Sequence, residues 1–240
     1  MAGKEDQEIM FIDVVNEAVE KSKGKSISVK FSNGSQLNGI VKAEKKERMS
    51  TYSAEPYTDV VLLSKTGRTW NFSMKDVMGA PSLAGGGTKG IDLIAPDLLR
   101  RFCDILLKAY LDAGYKKGDE IPEGFAEIPD RYLHLLVKGT PAMGGPIHYM
   151  FIGPKIVLSS FYSNTLTING NAITASNFAS STSLYFRNRR RRGDQPFDPD
   201  RKDSFGYPNI YGKSPSSGES GRRIAIVDSM PSTAFIIRLG

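Results

Sequence analysis

Between Ser26 and Lys75 turn signals cut the chain into short runs, and no other feature limits the fold as much. Ser26–Phe31 and Leu37–Lys42 alternate apolar and polar residues, with Ser32-Asn33-Gly34-Ser35 between them. Asn-Gly accepts the positive φ that a tight hairpin needs. A second pair follows: the apolar run Thr58–Ser64, the turn Lys65-Thr66-Gly67-Arg68, and the return Thr69–Lys75. Runs this short and this close pair locally, so the segment predicts two antiparallel hairpins. The charged stretch Ala43–Arg48 either extends the second strand or leaves as a loop.

Helical patterns bracket the hairpins. Residues 6–22 place Ile9, Phe11, Ile12, Val15 and Val19 mostly on one face. A helix is predicted over about 96–113, with Pro96 in its first turn and Gly114 as its stop.

Further along, residues 116–131 read as a surface loop. Leu133–Lys138 and His148–Ile152 read as strands, as do Lys155–Phe161 and Thr165–Ile173 around the turn Tyr162-Ser163-Asn164. Leu184–Arg189 is another candidate. Residues 190–221 are polar and rich in Gly, Pro, Ser and Arg without periodicity, which predicts a long mobile arm. The apolar runs Arg223–Val227 and Ala234–Leu239 then return to the sheet. The expected class is α+β: a central mixed sheet built from hairpins, flanked by the helices near 6–22 and 96–113, with a polar arm near 190–221. Strands follow the arm, so one domain over 1–240 is expected, with a mobile basic loop at about 187–223.

Composition narrows the partner. With 32 Lys and Arg against 26 Asp and Glu, the net charge is +6, which favours a polyanion. The single cysteine, Cys103, excludes an intramolecular disulfide and fits a reducing compartment; it reads as core. No run reaches the roughly 18–20 apolar residues of a membrane span, and MAGKEDQEIM lacks a signal-peptide core. The expected location is the cytoplasm, or a virion if the chain is phage-encoded. His134 and His148 have no partners at zinc spacing and read as structural. Trp70 reads as core rather than as a platform for bases.

The residues with a use in catalysis are Asp59, Ser73 and Lys75. Across a three-residue loop drawn from Lys65–Arg68, two registers arise, with Asp59 opposite Ser73 or opposite Lys75. Both put all three side chains on one face. A carboxylate and a carbonyl can hold a hard cation such as Mg²⁺, which lowers the pKa of a bound water. A nearby ammonium offsets charge developing on a phosphate. The bland alternative is that Asp59 begins one strand and Lys75 ends another, both solvated.

An acid on one strand and x-Lys on the next, after an N-terminal helix, resembles the PD-(D/E)xK, or restriction-endonuclease-like, nuclease superfamily over about residues 6–110. The match is to a degenerate Ser-x-Lys variant: Pro56 precedes Asp59 by three residues, and Ser73 stands where the second acid belongs. The resemblance implies a metal-dependent nuclease cleaving DNA, with Mg²⁺ or Mn²⁺ on Asp59 and a second acid recruited from elsewhere. Asp92, Glu17 and Glu20 are the candidates, with Glu55 and Asp76 behind them.

Two further segments suit phosphate. The loop Gly79–Gly90 offers Ser82, Thr88, Lys89 and bare backbone, though its order does not match a P-loop. Arg187, Arg189, Arg190, Arg191 and Arg192 form the densest charge cluster, after Tyr185 and Phe186. The expected partner is a nucleic acid, DNA rather than RNA, and no membrane. The alternative function is a non-catalytic nucleic-acid-binding or phage virion or assembly protein with a degenerate nuclease-like fold.

Overall fold

The computed structural model describes residues 4–47, 56–76, 91–188, 195–202, 206–208, 210, 222–226 and 232–239. In chain order the elements are α1 (Lys4–Lys21), β1 (Ile27–Phe31), β2 (Gln36–Lys45), β3 (Val60–Ser64), β4 (Thr69–Asp76), α2 (Ile91–Ile94), α3 (Pro96–Asp112), β5 (Gly124–Glu127) and α4 (Asp130–Lys138). There follow β6 (Tyr149–Gly153), β7 (Ser159–Tyr162), β8 (Thr165–Ile168), β9 (Asn171–Thr174), α5 (Ala175–Ser181), β10 (Leu184–Asn188), β11 (Arg222–Ile226) and β12 (Phe235–Ile237). The class is α+β, as the sequence predicts. The chain divides into two compact units: Met1–Pro81 with Val137–Ser181, and Ser82–Leu136 with Thr182–Gly240. Each has its own sheet. No described helix is long and apolar enough to cross a membrane.

The first unit holds an eight-stranded mixed sheet in the order β7-β8-β1-β2-β3-β4-β6-β9. The predicted hairpins β1–β2 and β3–β4 are both present. Each turns on a three-residue loop whose last position is a glycine at positive φ, Gly34 (+83°) and Gly67 (+79°). The β7–β8 turn uses Ser163 and Asn164, both at positive φ.

The expected strand Thr165–Ile173 is instead two strands. β8 pairs with β1 and β9 pairs with β6. Only Asn169 and Gly170 join them, although β9 is at one margin of the sheet and β8 is next to the other. The sheet must therefore curl back on itself. The β1–β2 turn bridges the gap: Ser32 N–H donates to the Gly170 carbonyl (2.8 Å), while Asn33 Nδ2 and Ser35 Oγ both donate to the Ala172 carbonyl (2.9 Å each).

Inside this curl sits an aromatic cluster. Phe11 of α1 lies 6.4, 5.8 and 5.2 Å from the ring centres of Phe31, Phe72 and Phe151. All four are buried, each contributing roughly 1.5–3 kcal/mol by leaving water. The buried stripe of α1 is Phe11, Val15 and Ala18, with Gln7 and Glu8 at its start, whereas Ile9 is exposed. Gln7 explains the change of face. Its Nε2 donates to the carbonyls of Gly153 and Pro154, both at 3.0 Å, at the end of β6.

The second unit is a four-stranded sheet, β11-β10-β5-β12, with α3 among its elements. Phe102 and Tyr110 of α3 stack on Phe186 and Phe235 with centres 5.0 and 4.7 Å apart. Cys103 is buried, as expected. Three readings change here. The expected loop 116–131 contains β5, whose Phe125 and Ala126 are buried. Leu133–Lys138 is helical, because Leu133, Leu136 and Val137 are buried at helical spacing while His134 and Leu135 face out. The two terminal runs do return to a sheet, but to this one.

The arm is anchored where it is described. Phe197 is fully buried, its ring centre 6.0 Å from that of Tyr110. Gly118 N–H donates to the Phe197 carbonyl (2.8 Å), and Lys117 pairs with Asp198 (2.9 Å). Tyr207 and Ile210 are also buried, and Tyr207 lies under Arg100. Isolated apolar residues in a polar stretch produce no periodicity, which is why composition suggested mobility instead.

Candidate functional site

The β3–β4 hairpin decides between the two registers. Val60 stands opposite Phe72 and Ser64 N–H donates to the Arg68 carbonyl (2.8 Å), so the loop is Lys65-Thr66-Gly67. Asp59, one residue before β3, departs from this register: its N–H donates to the Phe72 carbonyl (2.8 Å), so Asp59 and Val60 both stand against Phe72. Trp70, Phe72 and Met74 point into the core. Ser73 and Lys75 therefore share the other face of β4, and both are buried.

Asp59 is engaged with β4 directly. Its Oδ2 accepts the Met74 N–H (2.6 Å) and the Ser73 hydroxyl (3.2 Å). β3 begins only at Val60, so the carboxylate supplies the acceptor that an earlier strand residue would have supplied. Thr58 fastens the approach, donating from Oγ1 to the Gly144 carbonyl at 2.5 Å. Asp59 and Ser73 thus meet as predicted, and Lys75 follows on the same face.

Of the expected second acids, those whose side chains are described make other contacts or face solvent. Glu17 pairs with Lys21 (3.4 Å) on the exposed side of α1, and Glu20 is exposed on the same helix. Asp76 pairs with Lys155 (3.6 Å). The Asp92 side chain, Glu55, Lys89 and Arg189–Arg192 lie outside the described residues. Among the described residues no group of three or more His, Cys, Asp or Glu is placed to hold a metal ion. A hard cation needs several oxygen ligands, and Asp59 with one oxygen already accepting two donors does not meet that need. The described residues do not fit a Mg²⁺ or Mn²⁺ centre.

Of the basic stretch, Arg187 and the backbone of Arg222 and Arg223 are described. β10 pairs antiparallel with β11, Arg187 opposite Arg223 and Asn188 opposite Arg222. Residues over thirty positions apart in sequence thus meet at one end of a ladder, where the chain continues into Arg189–Arg192. Arg187 is committed: its Nε and Nη2 donate to Glu123 at 3.0 and 2.7 Å, and its guanidinium carbon lies 5.6 Å from the Phe125 ring centre. Asn188 is buried, and its Nδ2 has no hydrogen-bond partner among the described residues.

Two features escape sequence reading. Arg68 places its guanidinium carbon 5.1 Å over the Trp70 ring, a contact that same-face spacing along a strand permits. His148 Nδ1 accepts the Asn71 N–H at 2.9 Å. Burial, then the positive charges of Arg68 and Lys138, hold the His148 pKa below its ordinary value. Comparison of the chain with protein-family models, with curated proteins and with solved structures finds no match to any of them.

Proposed function

We propose that the protein binds nucleic acid without cleaving it, gripping backbone phosphates from the end of the β10–β11 ladder. The register of those strands carries the reading. It brings Arg222 and Arg223 beside Arg187 and Asn188, at the point where four more arginines follow in the chain. Arginine forks suit phosphate oxygens, and the net charge of +6 has the right sign for long-range attraction. Arg187, tied to Glu123, holds the strand end in place while its neighbours supply the phosphate contacts. DNA as the partner, in preference to RNA, rests on the family resemblance, and the same role suits a phage virion or assembly component.

The test is binding of labelled DNA across a salt series, with wild type beside a variant carrying Ala at Arg189, Arg190, Arg191 and Arg192. Wild-type log K should fall with log salt by about 0.9 per phosphate contact on duplex, and the variant should show a shallower slope. Salt-independent binding, or an unchanged slope in the variant, refutes the reading.

A second reading, metal-dependent DNA cleavage, draws on one observation: the Asp59 carboxylate accepts the Ser73 hydroxyl (3.2 Å), and Ser73 shares its face of β4 with a buried Lys75. Cleavage of supercoiled DNA with Mg²⁺ or Mn²⁺, abolished by Lys75→Ala without loss of binding, would put this reading first.

A further inference from the structure

A cleft of about 570 Å³ opens in the first unit beside the β3–β4 turn. That is within the range of small-ligand sites, roughly 300–1,000 Å³. Trp70 and Tyr149 line it with aromatic rings, Lys65 and Arg68 bring charge, and Gln36 and Asn38 of β2 border it. Among the described residues the lining includes no carboxylate. Neither Lys65 nor Arg68 has an acidic partner among the described residues, and both are exposed. Asn38 is held in one orientation. Its Oδ1 accepts from Ser28 Oγ and from Gln36 Nε2, both at 2.8 Å.

We propose that this cleft receives one nucleotide of a single-stranded nucleic acid. The chemistry asks for a flat, anionic ligand with hydrogen-bonding edges. Lys65 and Arg68 meet the phosphate, the Asn38 and Gln36 amides meet the base edge, and the Arg68 guanidinium, already over Trp70, offers its outer side to the base. Bases within a duplex are stacked and cannot enter, so the site selects single strands. The observations behind it lie wholly in the first unit and are independent of the β10–β11 reading.

Trp70 is the only tryptophan in the chain and borders both the core and the cleft, so a saturable change in its emission with circular dichroism unchanged reports on this cleft. The experiment titrates full-length protein with short oligothymidylate, with oligouridylate, with their mononucleotides and with a duplex, reading Trp70 emission and the anisotropy of labelled strands. Single strands should shift Trp70 emission saturably, and duplex should leave it unchanged. Arg68→Gln, at an exposed position, should weaken single-strand affinity by roughly tenfold, the value of a charge-assisted contact. Asn38→Ala should weaken it less, with circular dichroism confirming that both variants fold. The four-arginine variant should keep the Trp70 response even where its duplex binding is lost. Single strands that bind without changing Trp70 emission, unchanged affinity in a folded Arg68→Gln protein, or no binding of single strands at all would each overturn the proposal. Mononucleotides binding as tightly as strands would overturn the strand assignment and leave a free nucleotide as the ligand.

Discussion

Asn16 shows how one side chain can replace a strand. β1 stops pairing with β2 at Ile40, so the backbone of Ala43 faces an open edge. The Asn16 amide fills it, donating to the Ala43 carbonyl (3.0 Å) and accepting the Ala43 N–H (2.8 Å). Nothing in the helical pattern of residues 6–22 marks Asn16, because its partner becomes adjacent only on folding. His148 is a similar case, since reading it as merely structural misses what its ring accepts. Its folded pKa lies below the unfolded value of 6.5. As pH falls through the unfolded value, the unfolded chain takes up a proton that the folded one resists, so the folded state loses stability. That stability is fully present above the unfolded pKa. Denaturant midpoints at about pH 7.5 and about pH 5.5 should therefore differ less in His148→Gln than in wild type. An undiminished pH dependence in the variant would show that other groups carry it.

At the level of elements, period and turn chemistry made the hairpins legible. Asn33-Gly34 and Thr66-Gly67 mark their turns whatever the surroundings, and β3 and β4 lie within one residue or two of their expected ends. Elements whose identity depends on distant partners were not legible. β5 is four residues long and strand-like only between β10 and β12, and α4 is too short for an apolar run to distinguish helix from strand. The candidate site divides in the same way. The hairpin that carries Asp59 and Ser73 follows from local turn chemistry, whereas the departure of Asp59 from its register and the use of its carboxylate to finish the ladder do not. Asp59→Ala should leave the Met74 N–H without its acceptor and destabilise the fold by about 1–3 kcal/mol. Asp59→Asn, which keeps an acceptor oxygen, should cost less. Equal stability of wild type and Asp59→Ala in urea would remove this structural role.

For the whole molecule, the curled sheet has a consequence for how the chain is made. β1 needs β8, and β4 needs β6, whose residues emerge from the ribosome long after their partners. Residues 82–136, all assigned to the other unit, are synthesised in between. The early hairpins must therefore wait with two open margins, one along β1 and one along β4. Distant parallel pairings of this kind slow folding and leave strand edges exposed to other chains. A fragment ending at Pro81 should accordingly collect in the insoluble fraction, while a chain running through Ser181 should not, as separating the two by centrifugation after expression will tell. The gap between β8 and β9 then acts as a clasp in time as well as in space, since the sheet can close only when residues 169 and 170 have arrived to be bound by the turn made at residues 32–35.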